Sequence, residues 1–378
     1  MRPLRAGRFS ALLLLGISAF LLRPGGKDPP PLQRGIAVGE FHDPPGPGYP
    51  TILDRGELIK LKRLGVTHVQ IIPFAWQPDP TSPTIEIGED LTQSDRRLLK
   101  SVSDIHAVGM KVMLKPQLWS KSFSYGKQWG GDIAMQSKAQ WEEWFENYTR
   151  FITTYAERAE AMGIEIFSVG LELPRATRHE QAWRRIIAEV RKRYHGPLVY
   201  GAHWEGEFRT ITFWDALDFI GINAWFPLTT KGDASLEELE AGWRRWLPAI
   251  ENLARKTGKP VLFTEVGYRS VRGAGKSPWL WKWEDPVDLT EQAECYESVF
   301  ETFWNQPWFA GLYWWKWYAF PNFRDDYGND HTPQGKPAEQ IMARWYRSQG
   351  VRSSPTSRSS PTSRSSPTSW DAGRSHER

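Results

Sequence analysis

Eight short apolar runs recur along this chain, each followed by a stretch with helical spacing. They span 35–39, 66–74, 110–116, the run from Ile166 to Glu172, 197–204, 218–224, 261–265 and 309–317. The intervening segments 53–64, 91–108, 138–162, 181–194, 236–256, 290–304 and 338–347 carry apolar residues at helical intervals, as in Leu53, Leu58, Leu61 and Leu64. Gly65, Gly109, Gly163 and Gly258 follow four of them, where a left-handed cap ends a helix. Only the helix after the fifth run is weakly marked. Strands alternating with helices predict a parallel sheet, and eight such units predict a closed barrel. The expected fold is therefore α/β, a single-domain (β/α)8 TIM barrel over residues 34–349.

The ends have a different character. Arg2, Arg5 and Arg8 precede the apolar run Phe9–Leu22, which has the form of an export signal over residues 1–26. No clean cleavage site follows, so an uncleaved anchor holding the chain to a membrane is the alternative. Either way the expected location is extracytoplasmic. Residues 27–33 read as a Pro-rich linker. Residues 350–378 are expected to be disordered, since the hexapeptide Arg352–Ser357 and its two further copies through Ser369 hold nothing apolar to bury.

The formal net charge of +4 is small and spread along the chain, with no basic stripe, which argues against nucleic acid as a partner. Cys295 is the only cysteine, so neither an intrachain disulfide nor a thiolate metal site is available. No phosphate loop, dinucleotide fingerprint or zinc motif is present. The acidic stretch Arg324–Asp330 misses the calcium-loop spacing and reads as a solvated turn. No cofactor and no metal are expected. Tryptophan stands out, at 21 residues. Flat indoles either fill a core or stack on the C–H faces of sugar rings.

Two runs end in glutamate. Val261–Glu265 is followed by Gly267, and Ile166–Glu172 by Pro174. As strands seven and four of one barrel, both would deliver a carboxyl to the same lip, where barrel chemistry is done. Glycoside hydrolysis commonly uses two carboxyl groups flanking the scissile bond. Glu205 and Glu207 are rival acids, but they fall in a predicted loop. Lys115 and Gln117 end the third run, His203 and Trp204 the fifth, and Asn223 the sixth. Each is a candidate for touching sugar hydroxyls and equally a candidate for barrel packing. In the eighth run, strict alternation puts Tyr313, Trp315 and Trp317 on one side, with Trp315 the expected platform beneath a sugar. Trp76, Trp119 and Trp225 are candidates for lining the cleft further out.

The ordered set of motifs carries a resemblance. It comprises Leu114-Lys115-Pro116, Val169-Gly170-Leu171-Glu172-Leu173, Asp218–Ala224 with Phe226-Pro227-Leu228, Phe263-Thr264-Glu265-Val266-Gly267-Tyr268, Tyr313-Trp314-Trp315 and Gly335–Ala338. Together these resemble clan A of the glycoside hydrolases, and are most similar to family 113, whose characterised members are mostly retaining endo-β-1,4-mannanases. The resemblance implies Glu172 as general acid/base, Glu265 as nucleophile and a β-linked polysaccharide substrate, with β-1,4-mannan expected. A monomer is expected.

Two positions depart from that pattern. Clan A usually has Asn immediately before the acid/base, where this chain has Leu171; family 113 itself often lacks that Asn. The family usually has Tyr where this chain has Trp225, and that tyrosine's hydroxyl would hydrogen-bond the nucleophile. Trp offers a single N–H. Two further readings use the same residues: a carbohydrate-binding barrel with little or no turnover, and a transglycosylase.

Overall fold

The computed structural model describes residues 31–39, 53–87, 91–120, 122–123, 128–280, 285–319 and 328–348. Ten strands occur among them: β1 (Gln33–Gly39), β2 (His68–Ile71), β3 (Phe74–Trp76), β4 (Lys111–Leu114), β5 (Gln117–Trp119), β6 (Ile166–Leu171), β7 (Leu198–His203), β8 (Phe219–Asn223), β9 (Val261–Val266) and β10 (Phe309–Tyr318). Eight of them close a barrel in the order β1-β10-β9-β8-β7-β6-β4-β2. Every neighbouring pair is parallel, including the closing pair β1 and β10. The predicted (β/α)8 barrel is the observed fold. β1 begins at Gln33, the last residue of the expected linker. The segments 1–26 and 350–378 lie outside the described residues. No helix among the described residues is long and apolar enough to cross a membrane.

The helices are α1 (Arg55–Leu64), α2 (Leu91–Ala107), α3 (Lys138–Ala161), α4 (Glu180–Arg191), α5 (Glu207–Thr210), α6 (Leu236–Thr257), α7 (Leu289–Phe303) and α8 (Pro337–Arg347). Their ends follow local chemistry. Asp54 accepts from Glu57 N at the start of α1, and Gly65 closes that helix at φ 94°. Ser235 and Glu238 form a reciprocal cap on α6, and Gly258 ends it at φ 67°. The weakly marked helix after the fifth barrel strand is α5, a single turn.

The core has two compartments. A small one lies inside the barrel and is made of Met113, Ile166, Val199, Phe219, Leu262, Ala310 and Tyr313. A much larger one lies between barrel and helices, and most of the described tryptophans are buried or half-buried against it. The tryptophan surplus is thus mainly core filling. Among the described residues only Trp129 and Trp279 are exposed indoles.

Two local features set the lip of the barrel. Pro73 and Pro116 follow β2 and β4, and a proline cannot donate to a ladder. Beyond them the chains pair again as a separate parallel ribbon, β3 with β5, which carries Trp76, Gln117 and Trp119 above the barrel proper. The second feature is a bulge. Ile36 pairs with Trp314 but Val38 pairs with Trp317, so β10 has one extra residue there. This reverses the alternation. Tyr313 lies inside the barrel, whereas Trp317 faces the helices, where its Nε1 donates to Glu57 at 2.8 Å. The expected common side for Tyr313, Trp315 and Trp317 fails at Trp317 for that reason.

Candidate active site

Glu265 sits at the mouth end of β9 and is 6 % exposed. A register shift makes Asn223, rather than its neighbour Ala224, the partner opposite it on β8. Lys115, fully buried just beyond β4, donates from Nζ to Glu265 Oε1. Trp225 donates from Nε1 to the other oxygen, Oε2, at 3.1 Å. Both carboxylate oxygens are therefore held. Burial pulls the Lys115 ammonium below its ordinary proton affinity, while the Glu265 carboxylate works the other way.

Trp225 thus makes the kind of contact that the tyrosine of the related pattern would make. Its ring is wedged edge-on between Trp315, at 6.5 Å between centroids, and His331, at 5.4 Å. Gly267 leaves room for this: a Cβ there would lie 2.5 Å from Trp315 O and 3.2 Å from the Trp225 ring. The glycine after Glu265 serves close approach of the two tryptophans; β9 itself runs on to Val266. Trp225→Phe keeps the packing and removes the N–H. The expected result is a roughly 10- to 100-fold fall in kcat, the value of a hydrogen bond to a charged group. Steady-state kinetics checks it, and an unchanged kcat would mean that the bond does not matter.

Glu172 follows β6 and is held differently. It has φ 48°, the one positive φ among described residues other than glycine. This is uncommon for a side chain of its size and is the sort of local strain that clusters at functional sites. The turn is pinned by Glu172 N donating to Gly201 O at 2.9 Å and Leu173 N to the Tyr200 hydroxyl at 2.8 Å. The side chain is half-buried in the mouth. Burial, then the charge of Glu265, then that of Glu207, raise its proton affinity well above the ordinary carboxylate range. Asn223 and Lys115 offset this in part. Asn223 Oδ1 accepts from Thr264 Oγ1 at 2.8 Å.

The rival acids separate cleanly. Glu205 is exposed. Glu207 was expected in a loop but opens α5 and is buried, 4 % exposed. Its Oε1 accepts from the Tyr200 hydroxyl at 2.8 Å and from Thr177 Oγ1 at 3.2 Å, and its Oε2 accepts from His203 N at 2.7 Å. Burial pushes this carboxyl up to about 7. It braces the Glu172 turn from behind, through Tyr200. Glu207→Ala would strand three buried donors, and leaving one such group unsatisfied costs about 1–3 kcal/mol. The expected result is a clear fall in melting temperature, read by thermal denaturation, with Glu207→Gln losing less.

The other candidates are distributed as follows. Gln117, Trp119 and Glu172 line one cavity of ≈ 170 Å³, together with Trp129 and Leu173. Trp315 is half-buried at the mouth, 6.0 Å from Lys115 Nζ. His203 ends β7 half-buried, and burial lowers it to about 4, so it is neutral at pH 7. Its Nδ1 accepts from Glu205 N at 3.2 Å, which leaves the proton on Nε2. Trp76 is tied through its backbone to Glu86. The predicted solvated turn fails where it is described. Asp330 is fully buried and accepts from the Tyr318 hydroxyl and the backbone N–H of His331. Residues 324–327 lie outside the described residues.

Sequence reasoning weighed Glu207 only as a rival acid and missed its bracing role, and it did not single out His331 or Trp279. Nothing in alternation or composition marks a residue whose role depends on loops packing together.

The arrangement has relatives. Residues 49–348 match glycoside hydrolase family 113. The β-mannanase AaManA of Alicyclobacillus acidocaldarius, a family 113 structure solved with ManMIm, is 30% identical, with a TM-score of 0.72 over 84% of this chain and 97% of that one. A family 113 β-1,4-mannanase complex is 27% identical, with a TM-score of 0.72 over 84% of this chain and 100% of that one. A β-glucuronidase of Ruminococcus gnavus, 14% identical, matches with a TM-score of 0.56 over 84% of this chain and 50% of that one, which speaks for the fold alone. No curated protein matches the chain significantly. A match across most of the barrel, with two held glutamates at its mouth, gives the conclusion that this chain is a glycoside hydrolase and belongs to glycoside hydrolase family 113.

Proposed function

We propose that this enzyme hydrolyses β-1,4-linked mannan with retention, by double displacement through Glu265 and Glu172. The observation that carries the reading is the contrast between the two carboxyls. Glu265 is held at both oxygens by N–H donors, Lys115 Nζ on one and Trp225 Nε1 on the other. Glu172 is held in the mouth with its proton affinity raised. Opposite environments of this kind divide a carboxyl pair into nucleophile and acid.

The steps follow. The Glu265 carboxylate attacks the anomeric carbon as the bond to the leaving oxygen breaks, and Glu172 gives its proton to that oxygen. The glycosyl group is then an ester on Glu265. Glu172, now ionised, takes a proton from water, water oxygen bonds to the anomeric carbon, and Glu265 leaves as carboxylate. Sugar in place of water would give transglycosylation. Mannan as substrate rests on the similarity to β-mannanases. The arginine-led apolar run 9–22 supports action outside the cytoplasm.

The test is reducing-end release from mannan, glucomannan, cellulose and xylan, with proton NMR of the first product formed. Mannan cleavage giving the β-anomer first is expected. An α-anomer would mean inversion, and no release from any of the four would favour the non-catalytic reading. Product analysis at high substrate concentration separates hydrolysis from transglycosylation.

A further inference from the structure

The indole of Trp225 has a demand that a phenol lacks. A phenolic O–H turns about its C–O bond to meet an acceptor, whereas an indole N–H is fixed in the plane of its ring. The bond from Trp225 Nε1 to Glu265 Oε2, at 3.1 Å, is therefore only as well placed as the ring itself. Hydrogen bonds weaken steeply as they bend, so a ring that tilts gives up its acceptor.

Gly267 and Trp315 supply part of the seat. A Cβ on Gly267 would come 3.2 Å from the Trp225 ring, and Trp315 meets that ring at 6.5 Å between centroids with the planes 75° apart. Trp315 is itself half-buried at the mouth. The further contact is a histidine. The ring of His331 lies 5.4 Å from that of Trp225, with the planes 83° apart. It is buried, 5 % exposed.

His331 is anchored from several parts of the chain. Its Nε2 faces Pro278 O at 3.1 Å, and because a carbonyl only accepts, that nitrogen carries a proton. Its own carbonyl accepts from Gln292 Nε2, on α7, at 3.2 Å. The same Gln292 nitrogen reaches Tyr268 O at 2.9 Å and Asp330 O at 3.4 Å. Asp330 O also accepts from Ser270 N at 3.1 Å and from Lys336 Nζ at 3.1 Å. The Asp330 carboxylate accepts from the His331 backbone N–H and the Tyr318 hydroxyl. The imidazole is thus tied to the loop after β9, to α7 and to the loop after β10, and it moves only if they do.

We infer that His331 is a positioning residue for the nucleophile: its ring clamps the Trp225 indole so that Nε1–H stays on Glu265 Oε2. It acts through Trp225. The clamp accounts for how a tryptophan can serve where the related pattern has tyrosine. This rests on the reading of Glu265 as nucleophile.

The test is a double-mutant cycle on the full chain with β-1,4-mannohexaose as substrate. His331→Ala is expected to lower kcat about tenfold, within the range for a misplaced catalytic contact, with KM changed less than about twofold. Added to Trp225→Phe, which has no N–H to place, it should lower kcat by less than about a further twofold. His331→Phe keeps a ring against the indole and should recover most of the loss. Equal falls in both backgrounds would make His331 merely structural and overturn the proposal, as would an unchanged kcat in His331→Ala. A second readout needs no turnover. In enzyme carrying isotopically labelled tryptophan, the Trp225 Nε1–H resonance is identified by its loss in Trp225→Phe. Its exchange with solvent should be about tenfold faster in His331→Ala, and an unchanged rate overturns the clamp. Should the Ala variant fail to fold, His331→Leu, which fills the space without a flat ring, takes its place in both measurements. If the unaltered enzyme cleaves no mannan, the hydrolytic reading is what fails, and the exchange rate alone decides the clamp.

Discussion

Glu265→Gln is expected to lower turnover on mannan by about 10^4-fold or more, the scale of losing a catalytic nucleophile. An amide oxygen cannot form the glycosyl ester that divides the reaction into two steps. The shape is kept, and the amide oxygen can still accept from one of Lys115 or Trp225. Ligand binding should therefore persist, which separates lost chemistry from lost structure. The Lys115 ammonium, fully buried, would be left without its counter-charge. Removing one member of a buried pair costs about 3–5 kcal/mol. A lower melting temperature should accompany the loss, and kinetics should be measured well below it. A smaller variant, Glu265→Gly, gives a more specific readout. Azide entering the vacated space attacks the face that Glu265 attacked, so an activated aryl β-mannoside should yield the α-glycosyl azide. Unchanged turnover in Glu265→Gln, or a β-azide from Glu265→Gly, would remove Glu265 from the role.

Glu172→Ala should behave differently. A positioned general acid contributes about 10^2- to 10^4-fold, so mannan cleavage should fall by that amount. The loss should shrink on a substrate whose leaving group needs no proton, such as a dinitrophenyl glycoside. The pH profile provides the sign. Burial, the charge of Glu265 and that of Glu207 raise Glu172's proton affinity, so it stays neutral through neutral pH. The group donates while protonated. Activity is therefore present below its raised pKa and lost as pH rises through it. In Glu172→Ala that alkaline limb should flatten. An alkaline limb at the same position in the variant would assign it to another group.

The frame of this protein was legible because it depends on short-range patterns. Runs such as Val261–Glu265 have nowhere to go but a buried parallel strand, and their alternation with amphipathic helices leaves few closed arrangements. The two strand-end glutamates were legible for the same reason, since a barrel delivers its strand ends to one lip. The alternation argument failed at Trp317, where one extra residue in β10 turned every later side chain over. It also missed the ribbon that lifts Gln117 and Trp119, although Pro73 and Pro116 marked the breaks.

The roles within the lip were a matter of distance between parts far apart in the chain. Lys115 is 150 positions from Glu265, and Trp225 is 40. The substitution at Trp225 read as a lost hydroxyl, and only the packed barrel shows its N–H on Glu265 Oε2. Glu207 read as a rival acid and is a brace behind Glu172. By itself the sequence determined the barrel and which two carboxyls reach its mouth, because periodicity and strand ends are local. Tertiary structure alone decided how differently the two are held, because burial and hydrogen-bond partners come from strands and loops brought together by closure.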